Sequence, residues 1–258
     1  DALYYWTRML DLTDIQIDIR VLTSIGNCHR KLKTFDKGVY YFERALEMDP
    51  KNFYALFGLA DCYRGMNQQY RSIEYWNKIL ELDPNNKVIL TRIGDAYRNT
   101  GDYKSATDYY NRALNIDFDI YAALGLSLIC KGEGKYEEAI KYLKEFDGKG
   151  DEAIEAGATC MIGDCYVNLK KYDEAISYFD KAIVAANGNG ALIPRFIDKK
   201  ATVFAAQKKD DKALECYETI KKDYPNYSAS YNVDAYIALG VNDSNALFYN
   251  PMTGDITY

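Results

Sequence analysis

Residues 87–118 read KVILTRIGDAYRNTGDYKSATDYYNRALNIDF, and this stretch decides the fold of the 258-residue chain. A break at residues 99–102, Asn-Thr-Gly-Asp, separates two segments of roughly 13 residues that carry apolar residues at helical spacing. Gly at the end of the first segment is a helix-stop signal, and the chain restarts directly after it. The stretch therefore predicts a helical hairpin.

The pattern of this hairpin recurs along the chain. Small residues form a ladder with successive spacings of 34, 34, 33, 36 and 38 residues: Gly26, Ala60, Gly94, Ser127, Gly163 and Ala201. A second ladder of large side chains runs 16 positions behind it: Phe42, Trp76, Tyr110, Leu143, Phe179 and Tyr217. Because a period near 34 residues is typical of stacked helical hairpins, each unit is predicted to bury its apolar face against its neighbours.

Two further ladders describe the packing surfaces. Small residues precede the large ladder by four positions, where they let two helices approach: Gly38, Ser72, Ala106, Ala139, Ala175 and Ala213. Aromatic residues follow the first small ladder by three positions and continue the apolar stripe: His29, Tyr63, Tyr97, Tyr166 and Phe204. This phase predicts that most of the 25 tyrosines are core residues.

These ladders resemble the tetratricopeptide repeat, a family whose pattern places Gly or Ala, then Tyr, Ala, an aromatic residue, Ala and Pro at set offsets. Residues 87–118 follow that pattern almost throughout, although Phe118 stands in place of the Pro. The resemblance implies an all-α fold, a right-handed α-solenoid of helix-turn-helix repeats with a short non-repeat tail. It divides the chain into a half repeat at 1–16, units 1–3 at 17–119, units 4–6 at 120–227, a closing helix at 228–240 and the tail at 241–258.

The tail carries local signals for a β-hairpin. Residues 250–254 read Asn-Pro-Met-Thr-Gly, with Pro and Gly at positions that a turn favours, between the apolar stretch 247–249 and residues 255–258. A lone two-stranded hairpin is marginal in water, so we expect this one to lean on the closing helix around Tyr231.

Composition and charge exclude several classes of function. The net charge of −6, from 32 basic and 38 acidic residues, is the wrong sign for a protein that mainly grips phosphate backbones, so no nucleic-acid partner is expected. No apolar run approaches 20 residues and no basic-then-apolar leader opens the chain, so no membrane partner is expected.

The residues for catalysis or metal binding are scarce. His29 is the single histidine, and its repeat phase predicts a packed side chain. The six cysteines show no Cys-x-x-Cys spacing, which argues against zinc and is typical of a reducing compartment such as the cytoplasm. No phosphate loop or nucleophile motif is present. We therefore expect no enzyme activity and no cofactor.

The resemblance instead implies a binding groove lined by the first helix of every unit. Its predicted members are polar or charged at most positions and aromatic or apolar at the others: Asn27, Arg30, Tyr54, Phe57, Asp61, Arg64, Thr91, Arg92, Asp95, Arg98, Tyr121, Leu124 and Lys131.

A ladder of cations within this set suggests what the groove binds. Arg30, Arg64, Arg98 and Lys131 recur at spacings of 34, 34 and 33 residues. Guanidinium groups suit the carboxylates and carbonyl oxygens of an extended peptide, and the aromatic members could hold its apolar side chains. The alternative is that each Arg pairs with a neighbouring Asp and is solvated.

A subgroup of the same family clamps the terminal carboxylate of chaperones with a set of Lys, Asn and Arg residues. Only Asn27 and Arg92 match that set, since Thr23, Gly58 and Val88 occupy other positions of it. Chaperone-tail binding is therefore not the expected function.

The two halves of the chain differ in their basic residues. Nine of the ten arginines and both tryptophans precede residue 119, while Arg195 stands alone beyond it, and the repeat spacing also drifts there. The leading hypothesis is a scaffold for a protein or peptide ligand. One alternative is an engineered fusion of two arrays with no selected partner, and another is a module that self-associates through its terminal repeats.

Overall fold

The computed structural model describes residues 2–12, 18–145, 151–227, 248–249 and 256–257. Within these residues the chain forms thirteen helices, which confirms the all-α fold of stacked helical hairpins. They are α1 (Ala2–Leu12), α2 (Ile19–Lys31), α3 (Phe35–Met48), α4 (Phe53–Gly65), α5 (Gln69–Leu82), α6 (Lys87–Thr100), α7 (Tyr103–Ile116), α8 (Ile120–Gly132), α9 (Tyr136–Lys144), α10 (Glu152–Asn168), α11 (Tyr172–Ala185), α12 (Ile193–Ala206) and α13 (Asp210–Asp223).

Two short strands lie in the tail. β1 (Phe248–Tyr249) pairs antiparallel with β2 (Ile256–Thr257), with Phe248 opposite Thr257 and Tyr249 opposite Ile256. The predicted closing helix at 228–240 and the predicted turn at 250–254 lie outside the described residues.

The chain divides into two compact units, residues 1–129 and 130–258, and the division falls within α8. In the first unit, α2 packs on α3, α4 on α5 and α6 on α7, and each hairpin also contacts the next. In the second unit, α10 packs on α11 and α12 on α13, with α11 against α12.

Each hairpin is closed by the same local turn. A residue with φ between +57° and +82° lies seven positions after each member of the small ladder: Lys33, Asn67, Gly101, Gly134, Lys170 and Lys208. The amide of the following residue donates to a carbonyl five residues earlier, for example from Thr34 to the His29 oxygen at 2.9 Å. This bond satisfies a carbonyl that the end of the helix would otherwise leave unpaired.

The core of the first unit is built on rings that press against glycine backbones. Phe42 on α3 is fully buried between Gly26 of α2 and Gly58 of α4. A Cβ atom at Gly26 would lie 2.8 Å from the ring of Phe42, and one at Gly58 would lie 2.1 Å from it. Both distances are far shorter than van der Waals contact, so only glycine permits the approach.

Tyr110 on α7 repeats this arrangement one period later. Cβ atoms at Gly94 of α6 and at Gly125 of α8 would lie 2.6 Å and 2.3 Å from its ring. One large ring is thus seated between the first helix of its own hairpin and the first helix of the next.

Tyrosines on the two helices of a hairpin form stacked pairs, in which Tyr63 is buried and the other rings are partly exposed. Stacked rings lie 5.3–5.6 Å apart in Tyr63–Tyr75, Tyr97–Tyr109 and Tyr166–Tyr178. The second ring of each pair carries a cation from the residue three positions later, Lys78, Arg112 or Lys181, at 4.3–4.8 Å. The prediction that most tyrosines are core residues is wrong for the described part of the chain, where Tyr63, Tyr110 and Tyr217 are the buried ones.

The glycine contacts predict that replacement of glycine by alanine changes the stability in opposite directions at Gly58 and Gly157. Gly58→Ala should lower the free energy of unfolding by about 1–3 kcal/mol, because the new methyl group overlaps the ring of Phe42. Gly157→Ala, inside α10 and with open space around it, should instead stabilise by up to about 1 kcal/mol through helix propensity. Urea unfolding followed by circular dichroism measures both, and equal effects would contradict the packing argument.

His29 should make stability depend on pH. It is buried, stacks on Tyr41 at 5.6 Å, and its Nδ1 lies 2.8 Å from the Thr34 hydroxyl. Burial, and then the charge of Lys37, lower the pKa of His29. The folded protein therefore binds fewer protons than the unfolded chain, and stability falls as the pH drops below the unfolded pKa of about 6.5.

The matched variant for this test is His29→Tyr, because Tyr63 and Tyr97 occupy the same repeat phase. The free energy of unfolding of the variant minus that of the wild type should increase when the pH is lowered from 7.5 to 5.5. Urea unfolding at both pH values measures it. An unchanged difference between the two proteins at both pH values would show that His29 does not contribute.

Candidate functional site

A buried carboxylate organises the predicted groove of the first unit. The Asp61 side chain on α4 is 2% exposed and accepts hydrogen bonds from three guanidinium groups. Arg92 Nη1 donates to its Oδ1 at 2.8 Å, Arg30 Nη1 to its Oδ2 at 2.9 Å, and Arg64 Nε to its Oδ1 at 3.3 Å. Three successive hairpins thus meet at one charge, whose burial is offset by ion pairing.

Repeat phase explains why these side chains converge. Asp61 lies one residue after a member of the small ladder, Arg30 and Arg64 lie four residues after one, and Arg92 lies two residues before one. The first helices α2, α4 and α6 therefore direct them to the same side. We call this side of the first unit the groove face.

Neighbouring groups fix the orientation of two of the arginines. Asn27 Oδ1 accepts a hydrogen bond from Arg30 Nε at 3.1 Å. The Arg92 guanidinium lies over the ring of Phe57, 4.8 Å from its centroid. A planar cation that is bonded at one edge and stacked on one face has little rotational freedom left.

A second polar cluster connects the groove face to the core. The Tyr110 hydroxyl donates to Asp95 Oδ1 at 2.7 Å and accepts from Arg98 Nε at 3.2 Å. Burial, followed by the charge of Asp95, raises the pKa of Tyr110, so the hydroxyl stays protonated and keeps donating. Arg98 Nη2 also lies 3.5 Å from Asp95 Oδ1. Tyr110, whose ring packs on Gly94 and Gly125, therefore also positions Arg98 on the groove face.

A cleft opens between these two clusters. It has a volume of about 330 Å³ and is lined by Arg64, Gln69, Arg92, Asp95, Arg98 and Asn99. Its borders are the C-terminal part of α4, the first turn of α5, and α6 from its middle to its last turn. Three guanidinium groups face this space together with a single carboxylate, so its electrostatic character is basic.

The remaining predicted groove residues fall into separate environments. Tyr54 and Tyr121 are 69% and 57% exposed, and Leu124 is half-buried. Thr91 is 5% exposed, and its hydroxyl has no hydrogen-bond partner among the described residues, so it does not line an open surface. Lys131 lies in the second unit.

The second unit contains a similar arrangement that the sequence analysis missed except for Lys131. Asp164 accepts from Lys199 Nζ at 2.8 Å and from Lys131 Nζ at 3.4 Å. Asp164 has the repeat phase of Asp61, Lys131 that of Arg30, and Lys199 that of Arg92. These residues could have been found in the sequence by comparing repeat positions with those of Asp61, Arg30 and Arg92. The ladder of cations followed only the position of Arg30.

The described residues offer little for other chemistry. No group of three or more His, Cys, Asp or Glu side chains within them is arranged to hold a metal ion. Burial raises the pKa of the Cys62 and Cys160 thiols to about 12, which makes them poor nucleophiles. None of the helices in this part of the chain has the length and apolar character needed to cross a membrane.

Comparisons with protein families agree with the repeat pattern. Models described as tetratricopeptide repeat match residues 19–52, 41–74 and 198–227. A model described as anaphase-promoting complex, cyclosome, subunit 3 matches residues 99–182. No curated protein sequence matches the chain.

Solved structures show the same fold. A tetratricopeptide repeat protein from Parabacteroides merdae ATCC 43184 is 17% identical, with a TM-score of 0.62 over 92% of this chain and 90% of that one. PilW, a type IV pilus biogenesis factor, is 16% identical, with a TM-score of 0.67 over 85% and 99% of the two chains. YrrB, a TPR protein with an unusual peptide-binding site, is 20% identical, with a TM-score of 0.56 over 75% and 97%.

The three arginines around Asp61 yield a stability prediction. Asp61→Asn should cost about 1–3 kcal/mol in urea unfolding, because it removes the charged acceptor of three partly exposed arginines. Part of the loss should be recovered at high salt, which screens the repulsion between the cations.

Asp95→Asn is the matched control, since that carboxylate is 42% exposed and its replacement keeps an acceptor for Tyr110. Its cost should stay below about 1 kcal/mol. If both variants lose the same stability, the three arginines do not depend on Asp61.

Proposed function

This chain belongs to the tetratricopeptide repeat family, and we propose that it is a non-catalytic scaffold that binds an extended segment of a partner protein on the groove face of residues 18–129. The observation that carries the proposal is the excess of hydrogen-bond donors there. Arg30, Arg64, Arg92 and Arg98 share two carboxylates, Asp61 and Asp95.

The arginines keep donors for a ligand after their internal pairing. Among the described residues, Arg64 donates through Nε alone, and Arg92 through Nη1 alone. Their remaining N–H groups suit backbone carbonyls and acidic side chains of an extended peptide. The alternative in which each Arg simply pairs with its neighbouring Asp therefore describes only part of this face.

Exposed aromatic rings supply the apolar part of the proposed surface. Tyr54 lies at the start of α4 and Tyr121 at the start of α8, and both are largely exposed. Rings of this kind bind apolar side chains at low entropic cost and keep a hydroxyl for hydrogen bonding. The proposed ligand thus alternates acidic and apolar side chains.

The fusion of two arrays stays an alternative, supported by one observation. The buried carboxylate is held by arginines in the first unit and by lysines in the second, which follows the uneven distribution of Arg along the chain. A fused array without a selected partner would present the same groove face, but no peptide sequence would be preferred on it. Self-association through terminal repeats would appear as a dimer in sedimentation.

We expect phage-displayed random peptides selected on the protein to share acidic and apolar positions. Tyr54→Ala should lower the affinity of a selected peptide about 10-fold in fluorescence anisotropy, because the ring holds an apolar side chain. Tyr70→Ala is the matched control, since Tyr70 is also 69% exposed but lies on the second helix of the same hairpin.

Equal affinities of the wild type, Tyr54→Ala and Tyr70→Ala proteins would place the binding surface elsewhere. The absence of any enriched peptide sequence would favour the fusion without a selected partner.

A further inference from the structure

We propose that the cleft between Arg64, Arg92 and Arg98 is a subsite for a phosphorylated side chain of the bound peptide, an inference that rests on the proposed function. The cleft is the place on the groove face where three guanidinium groups border one space. Its volume of about 330 Å³ is ample for a phosphoserine side chain and for water molecules around it.

The charge count favours a dianion over a carboxylate. Four arginines and two aspartates take part in the connected clusters around the cleft, which leaves a net charge of +2. A phosphate monoester carries nearly two negative charges at neutral pH, which neutralises this net charge. A carboxylate carries one, so half of the net positive charge would remain.

Two of the three guanidinium groups are held in place before any ligand arrives. Arg92 is bonded to Asp61 and stacked on Phe57, and Arg98 is bonded to the hydroxyl of Tyr110. Pre-organised donors lose little side-chain entropy on binding. Arg64, whose side chain is half exposed, keeps both Nη atoms for the ligand and can close on it.

Asp95 also lines the cleft and opposes an anion. Its Oδ1 accepts from the Tyr110 hydroxyl and lies near Arg98 Nη2, so its charge is largely compensated inside the protein. A tetrahedral phosphate presents three oxygens in different directions, which lets it meet Arg64, Arg92 and Arg98 while it avoids this carboxylate.

The second unit provides an internal contrast. In α10 and α12, Val167 and Ala205 occupy the repeat phase of Arg64 and Arg98. Asp164 is held there by two lysines, each of which is a point charge without a fork of donors. The inference therefore assigns the phosphate subsite to the first unit alone.

The test uses three small probes and the full chain. N-acetyl-O-phosphoserine N-methylamide, N-acetylglutamate N-methylamide and inorganic phosphate are titrated while the Nε–Hε resonances of the arginines are followed by ¹H–¹⁵N NMR. We expect saturable shifts at Arg64, Arg92 and Arg98, with the phosphoserine derivative bound at least about 10-fold more tightly than the glutamate derivative.

Three variants test the assignment. Arg64→Gln and Arg98→Gln should each weaken binding of the phosphoserine derivative at least about 10-fold, and Arg64→Lys should recover part of the loss, since it restores the charge without the fork. Arg112→Gln is the matched control, because Arg112 is an exposed arginine of the same unit that lies over Tyr109, away from the cleft. It should bind as the wild type does. Circular dichroism verifies that each variant is folded.

Equal affinities for the phosphoserine and glutamate derivatives would overturn the inference, as would binding that Arg64→Gln and Arg98→Gln leave unchanged. Binding of inorganic phosphate without binding of the phosphoserine derivative would also overturn it, since the cleft would then exclude a side chain. If selected peptides still depend on Tyr54 while the phosphoserine derivative does not saturate, the proposed function stands and this inference fails.

Discussion

The contact of one large ring with two glycine backbones determines how closely the first helices approach at two junctions of residues 18–129. Phe42 does this between α2 and α4, and Tyr110 between α6 and α8. Because no Cβ atom separates ring and backbone at Gly26 and Gly58, α2 and α4 come near enough for Arg30 to reach Asp61. The ion pair between Arg30 and Asp61 is therefore a consequence of core packing, and Arg64 and Arg92 reach the same carboxylate from α4 and α6.

The helical hairpins and their turns could be predicted from the sequence because they depend on local chemistry. The break at Asn99–Asp102 became a turn with left-handed Gly101, and the large ladder became the core. The partners of the charged residues could not be predicted in this way. Arg30 bonds to Asp61, 31 positions away, since α2 itself carries no carboxylate. Which carboxylate of another helix it reaches depends on the distance between the helices and on the side-chain rotamer. Thr91 fails as a groove residue because its side chain is buried, although the next residue, Arg92, reaches the groove face.

The choice between arginine and lysine around the central carboxylate distinguishes the two units. In both, a carboxylate at the same repeat phase is held by cations from the hairpins before and after it. A lysine carries its charge on one nitrogen, and in Lys131 and Lys199 that nitrogen already binds Asp164. No second charged nitrogen is left for a ligand. An arginine can hold Asp61 with one nitrogen and offer the others outward. On the proposed function, the same architecture is structural in the second unit and available for recognition in the first.

The turn that closes each hairpin has an evolutionary consequence. Its left-handed residue and its five-residue backward hydrogen bond use only atoms of the hairpin itself, for example between Gln68 and Tyr63 or between Lys209 and Phe204. The duplication or deletion of one repeat in the gene therefore leaves the turns of the neighbouring hairpins intact. The spacing of the repeats ranges from 33 to 38 residues, so the array accommodates this variation in hairpin length while the six turns keep the same form.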